Sequence, residues 1–457
     1  MDDKELQFRK EISERIQEIF ALRGKSREFV PGKTWIQYAG GVFDDKEINA
    51  SVSSLLDGWF GLGPKADELE KGLAKFLGVK GSLLTNSGSS ANLLAISSLM
   101  SDLFPNHLNS GDEVITSACG FPTTVNPLVQ NGLVPVFLDP NPETYDIEVA
   151  DFERALSPKT RAVMFAHTQG NPHEMDKIVK FCEDHDLFLI EDNCDSLGSE
   201  YDGRKTGSFG ILSTQSFYPP HHMTMGEGGA VSYNDLRLER IARSLRDWGR
   251  SCYCRGDEKR TLGTCGVRFS FKIDGRPYDH KYIFNQIGYN LKPIEPQAAM
   301  GVEQLKKMPY FIQKRKENYS RLDNYARSWG EFFILPKSYP KAEPCWFAYL
   351  LTIRDDAPFT RQELILFLEE RMIQTRPLYG GNLTKQPSFA SVKYRQVGNL
   401  ENATRILHNT FFVGVYPALG NEEIDFMAES INDFLKKHRS PTLLSVDETA
   451  PETERVS

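Results

Sequence analysis

Between residues 81 and 232 short apolar runs alternate with helical ones, and that rhythm restricts the fold more than any other feature. Strand-like runs fall at 82–85, 113–116, 134–138, 162–166, 187–191, 214–218 and 230–232. Helical spacing fills 90–104, 123–131, 151–155 and 176–185. Apolar strands taken in turn with helices predict an α/β fold: a mixed, mostly parallel central sheet covered on both faces. A second αβ segment follows, with helices near 296–330 and 361–372 and strands near 346–353 and 411–416.

At 457 residues the chain is too long for one simple core. The pattern divides it into a helical leader at 1–50, a large domain at 51–310, a smaller C-terminal αβ domain at 311–438 and a polar, disordered tail at 439–457. In the leader, Leu6, Ile12, Ile16, Ile19 and Phe20 predict an amphipathic helix over 4–22. Residues 250–285 break the rhythm as a Gly-, Arg- and Cys-rich insertion. The net charge of −8 is spread along the chain, so no basic stripe marks a nucleic-acid surface. Met1-Asp2-Asp3-Lys4-Glu5 lacks the apolar core of a secretory signal. No run reaches the ~18 apolar residues of a membrane span, and a cytoplasmic protein is expected.

Three stretches carry candidate chemistry. Asn86-Ser87-Gly88-Ser89-Ser90-Ala91-Asn92 joins a strand to a helix. Helix N-terminal amides and Ser hydroxyls around Gly88 suit a phosphate dianion, and an ordinary Ser-rich cap fits equally well. Residues 187–192 end a buried-type strand in Glu191 and Asp192, at the edge where open α/β sheets bind ligands. A carboxylate there can pair with a protonated ring nitrogen or cap a helix. The stretch from Ser216 to Gly229, with two prolines, His221, His222 and a Gly-Glu-Gly-Gly run, is an irregular loop between strands. Nothing apolar demands its histidines.

These stretches in this order, followed by Gly288-Tyr289-Asn290, resemble the DegT/DnrJ/EryC1/StrS sugar aminotransferase family over residues 45–438. The runs 120–127 (GFPTTVNP), 247–250 (DWGR) and 381–384 (GNLT) support the resemblance. It implies a PLP-dependent transferase fold of type I, like aspartate aminotransferase. It further implies that Gly88, Ser89 and Ser216 hold the cofactor phosphate, Phe121 stacks on the pyridine ring and Asp192 pairs with the ring nitrogen. Asn290 would reach the phosphate in a neighbouring subunit, making a homodimer. The family's cofactor-anchoring lysine falls on His221, which resembles the dehydrase branch, typified by enzymes acting on CDP-4-keto-6-deoxyglucose. Asp195 and Tyr218 match an Asp and a Tyr near the reacting centre there, so His221, Asp195 and Tyr218 are the expected catalytic residues.

Imidazole cannot form a Schiff base with pyridoxal phosphate, so the cofactor cannot be held covalently at His221. Free pyridoxamine phosphate can still condense with a keto sugar, and an imidazole titrating near pH 6.5 can take a proton from it. His222 is the weaker candidate, because the motif register favours His221. Among the seven cysteines, Cys194, Cys252, Cys254 and Cys265 follow the order in which the branch binds a [2Fe–2S] cluster. The last gap is three residues longer than the branch pattern, within a loop that tolerates insertion. Zinc on the same thiols is the alternative. Cys119, Cys182 and Cys345 are expected to be packed thiols. If the strand stays extended, Asp192 and Cys194 project to one side about 7 Å apart.

The resemblance implies C3-dehydration of a nucleotide-linked 4-keto-6-deoxyhexose, CDP-linked by first choice, in making 3,6-dideoxyhexoses. An NAD(P)H-dependent flavin or iron–sulfur reductase would supply the electrons. The alternatives are a dTDP-sugar dehydrase, a cluster-free dehydratase of the GDP-4-keto-6-deoxymannose type, and a regulatory protein that kept the fold without the chemistry.

Overall fold

The computed structural model describes residues 2–24, 28–252 and 268–439. Seven strands build the central sheet: β1 (Gly81–Thr85), β2 (Glu113–Ser117), β3 (Val134–Leu138), β4 (Thr160–Ala166), β5 (Phe188–Asp192), β6 (Leu212–Ser216) and β7 (Gly229–Tyr233). Their order is β1-β7-β6-β5-β4-β2-β3, extended beyond β3 by the short strand Arg395–Gln396. Among the described residues of this sheet, β7 alone runs antiparallel to its neighbours. It returns directly from β6 and pairs with β1, Leu83 opposite Val231.

Neighbouring strand residues feed opposite cores, which is why β3, β4 and β5 carry near-continuous apolar runs. Val114, Ala162 and Ile190 join one cluster, against α4 (Gly88–Leu99), α5 (Pro122–Gln130) and, later in the chain, the helix Leu236–Arg246. Ile115, Val163 and Leu189 join another, against α6 (Phe152–Ala155) and α7 (Met175–Asp184). The helix expected over 90–104 stops at Leu99, because the chain turns at Ser101 and Asn106 adopts a left-handed backbone. The strand expected over 214–218 stops at Ser216, as Phe217 leads into the Pro219-Pro220 turn.

The C-terminal part begins with a long helix, Glu295–Ala326. It supports a four-stranded antiparallel sheet centred on β8 (Ala348–Ile353) and β9 (Thr410–Gly414). A separate apolar cluster joins that sheet to the helix Asn421–Lys436. The helices Asp45–Leu56 and Pro64–Leu77 were not expected from the sequence, and the boundaries drawn at residues 50 and 310 fall inside helices. The leader helix, Asp3–Gly24, forms as expected, but none of its residues is buried against the rest of the chain. Among the described residues no helix is long and apolar enough to cross a membrane.

Candidate active site

The site gathers where β5 and β6 end. Strand alternation separates the two acids that the sequence left undivided. Glu191 points away from the site. Its carboxylate is fully buried and accepts the backbone N–H of Gly207, Phe209 and Gly210, each at 2.7 Å, with His167 Nε2 at 3.0 Å. Glu191→Gln is expected to cost about 2–3 kcal/mol, since an amide cannot accept on both sides and leaves a buried N–H unmet. The urea midpoint measures this, and an unchanged midpoint would refute it.

Asp192 faces the other way. Its Oδ2 accepts from Asn92 Nδ2 at 2.8 Å and from Thr124 Oγ1 at 2.7 Å, while Thr214 Oγ1 donates to Asn92 Oδ1 at 2.6 Å. Its Oδ1 accepts the Cys194 N–H at 3.2 Å. That bond turns the chain after Asp192, so the extended geometry expected for Asp192 and Cys194 is not what forms. A buried carboxylate held by donors on this scale suits a protonated ring nitrogen.

Above it, Ser87 caps α4 through Ser90 N at 3.1 Å, so the capping role falls to Ser87. The first-turn amides at Gly88 and Ser89 are left at an open helix N-terminus, as a phosphate needs. A Cβ on Gly88 would come within 2.5 Å of Ser216 Cβ, so only glycine lets the loop close on β6. Gly229 of β7 is equally tight, its added Cβ lying 2.5 Å from the Ser87 carbonyl. Phe121 stands at the N-cap of α5 with its ring half-exposed. Asn290 is exposed, its Oδ1 accepting from Lys292 Nζ at 2.7 Å.

His221 sits in a turn closed by its own N–H on the Tyr218 carbonyl. Its ring is edge-on to both Tyr218 and Phe347, and Nε2 lies 3.4 Å from Asp195 Oδ1. Nδ1 is buried without a hydrogen-bond partner. Burial holds the imidazole down at about 4, against the opposing charge of Asp192. Burial likewise pushes Asp195 up to about 7, opposed by the hydroxyl of Tyr379 donating to it. Both groups of this pair thus resist their charged forms, and His221 is neutral at ordinary pH. His222 is committed elsewhere: its Nε2 donates to the Cys345 carbonyl at 2.7 Å. The buried Arg315 guanidinium lies behind both histidines and donates to the Phe347 carbonyl at 2.9 Å. Burial and the Tyr38 hydroxyl push the Tyr218 phenol up.

Cys194 Sγ lies beneath the phosphate loop, 3.0 Å from where a Cβ on Gly88 would stand. Burial, then Asp192, push its thiol well up, so a thiolate there requires a bound cation. Cys252 Sγ lies 3.8 Å from His280 Nε2. Cys254 and Cys265 lie outside the described residues. Among the described residues no group of three or more His, Cys, Asp or Glu side chains is placed to hold a metal. Cys119, Cys182 and Cys345 are buried in the core.

The DegT/DnrJ/EryC1/StrS aminotransferase family profile matches residues 43–432. The chain belongs to that family. This family member is 44% identical over 430 residues to the lipopolysaccharide biosynthesis protein RfbH of Salmonella typhimurium, covering 93% of this chain and 98% of that protein. It is 47% identical over 416 residues to a dTDP-4-dehydro-2,6-dideoxy-D-glucose 3-dehydratase of Saccharopolyspora spinosa, covering 90% and 89%. A solved E. coli GDP-4-keto-6-deoxy-D-mannose-3-dehydratase with bound hydrated PLP superposes with a TM-score of 0.77 at 28% identity, covering 86% of this chain and 98% of that one. The type I PLP-dependent transferase fold expected from the resemblance is thus the fold of this family member.

Asn92 and Thr124 stand inside motifs already singled out, one helical turn beyond the residues named, and spacing of four along a helix face was the signal for Asn92. Arg315 and Tyr379 carry no local signal.

Proposed function

We propose that the chain is a pyridoxamine-phosphate-dependent 3-dehydratase of a nucleotide-linked 4-keto-6-deoxyhexose. The observation that supports it best is a neutral, partly enclosed imidazole at His221, set against Asp195, where an anchoring lysine would stand. The residues present fit the cofactor: the open N-terminus of α4 with Ser89 and Ser216 for phosphate, Phe121 for the ring face and Asp192 for the ring nitrogen. When bound, pyridoxamine phosphate supplies an amine to condense with the keto sugar and a ring that takes up the electron pair released beside it. Asp192 keeps the ring nitrogen protonated, and Asn92 and Thr124 keep Asp192 aimed at it. His221 takes the proton through a ring nitrogen, with Asp195 steadying the imidazolium that results. Tyr218, half-exposed beside His221, is read as assisting departure of the C3 hydroxyl. Asn290 is read as completing a phosphate site in a second copy of the chain.

Net 3-deoxygenation takes two electrons and two protons into the sugar and releases water. A [2Fe–2S] cluster on Cys194, Cys252, Cys254 and Cys265 would carry such electrons one at a time from a separate reductase. What supports it is the donor chemistry of the four thiols, two of which are described here. CDP-linked sugars are the first reading of the substrate. A dTDP-linked 2,6-dideoxy sugar is the second, favoured by the 47% identity to the Saccharopolyspora spinosa 3-dehydratase.

Solvent ¹⁸O exchange into the C3 hydroxyl, catalysed by the purified protein loaded with pyridoxamine phosphate, tests the reading with CDP- and GDP-4-keto-6-deoxyhexoses and a dTDP-4-keto-2,6-dideoxyhexose. No exchange in any arm would end it. The pH profile offers a second check. Two steps are expected as pH falls: protonation of Asp195 at about 7 weakens the support for the imidazolium, and protonation of His221 at about 4 removes the base. In Asp195→Asn the upper step should vanish, and an acid limb centred near 6.5 in that variant would mean an imidazole in ordinary solvent, contrary to the burial described.

A further inference from the structure

Tyr379 belongs to the C-terminal part of the chain, yet its hydroxyl stands in the middle of the site. Backbone pairing explains how it arrives. Gly380 N–H donates to the Gly120 carbonyl at 3.3 Å and Leu383 N–H to the Ala118 carbonyl at 2.9 Å. The loop at 380–383 thus runs antiparallel to the segment at 118–120, with Asn382 paired to Cys119. That pairing sets Tyr379 edge-on to Phe121, ring centroids 6.4 Å apart and planes at 79°.

The phenol oxygen accepts the Gln169 backbone N–H at 3.1 Å and donates to Asp195 Oδ2. The Gln169 side-chain amide also reaches Oδ2, at 3.4 Å. With Oδ2 engaged twice, Oδ1 is the oxygen left facing His221 Nε2 at 3.4 Å. Both donors reach this point from strained backbone: Gln169 has φ +53° and Tyr379 φ +48°, the left-handed region that residues with a Cβ rarely occupy. Such conformations persist where the surroundings over-determine them, and they concentrate at functional sites. Phenylalanine at 379 would keep the edge contact with Phe121. The hydroxyl is therefore answerable for something other than packing.

We propose that Tyr379 is a positioning residue: its hydroxyl fixes Asp195 Oδ2, and so keeps Oδ1 turned toward His221 during proton transfer. This rests on reading His221 as the base. Tyr379 acts through Asp195 and is an inner link in a chain of contacts that runs Phe121, Tyr379, Asp195, His221. The same ring couples the residue read as stacking on the cofactor to the residue read as steadying the base.

The test uses Tyr379→Phe, Asp195→Asn and the double variant in the full chain. Tyr379→Phe should lower kcat for dehydration about 10- to 100-fold, with KM and pyridoxamine phosphate affinity within about 3-fold of wild type. In the Asp195→Asn background the same change should cost less than about 2-fold, because the partner through which it acts is gone. Equal losses in both backgrounds would overturn the proposal, as would a Tyr379→Phe effect confined to KM. A readout without turnover comes from the ring nitrogens of His221 in cofactor-free protein labelled with ¹⁵N-histidine, assigned by difference with His221→Asn. Tyr379→Phe should move those resonances in the direction that Asp195→Asn moves them. Unmoved resonances overturn the proposal. If no sugar nucleotide is turned over, the wider functional reading fails, yet these resonances still decide whether Tyr379 orders Asp195 against His221.

Discussion

His221→Lys is expected to abolish dehydration and to tie pyridoxal phosphate covalently to the chain. Loss of the positioned base alone accounts for a fall of about 10²–10⁴-fold. The pocket then favours the new bond. The same burial that holds the imidazole at about 4 disfavours a charged ammonium, and a neutral amine is the nucleophile that attacks an aldehyde. Borohydride reduction followed by peptide mass mapping should find the cofactor on residue 221 in the variant and nowhere in wild type. His221→Asn serves as control, losing activity without gaining the linkage. A reducible cofactor–protein bond in wild type, or a lysine variant that still dehydrates, would remove the role given to His221.

Cys252→Ser is expected to eliminate the net 3-deoxy product while sparing the first half of the reaction. Iron should fall from about two per chain to near none, since a cluster of this type takes four ligands. Expulsion of the C3 hydroxyl needs no outside electrons, so ¹⁸O from solvent should still exchange into that position. Cys119→Ser, Cys182→Ser and Cys345→Ser, all at buried core positions, should keep their iron. Full iron in Cys252→Ser would mean that another side chain is the ligand, with His280, 3.8 Å from the Cys252 thiol, a candidate among the described residues. Zinc in place of iron in wild type would end the electron-relay reading. Loss of ¹⁸O exchange together with iron would make the metal structural.

Strands β3, β4 and β5 were legible because both sheet faces are covered, which leaves near-continuous apolar runs. The phosphate loop was legible for a similar reason, as its chemistry is compressed into seven consecutive residues. Glu191 and Asp192 show where legibility ends. Adjacent residues on a strand face opposite ways, but periodicity does not say which face carries the site, and the choice of Asp192 rests on the family resemblance. Tyr379 lies 184 residues from its partner Asp195, and only the pairing of two distant loops brings them together. The leader helix forms where an amphipathic helix was expected, and none of its residues is buried. Spacing of Leu6, Ile12 and Ile19 records an apolar stripe, and these three remain exposed in the single chain.

The reversed strand β7 has a consequence for how the protein is made. β1 emerges early, yet its partner in the sheet follows about 150 residues later, a separation that slows folding. Until residues 229–233 arrive, β1 has an open edge, and Gly229 is not there to press against the carbonyl of Ser87. During synthesis the turn at 86–90 is therefore a promise without walls. It acquires its shape only when the ribosome has passed His221, so that the turn and the imidazole read as the base are completed together.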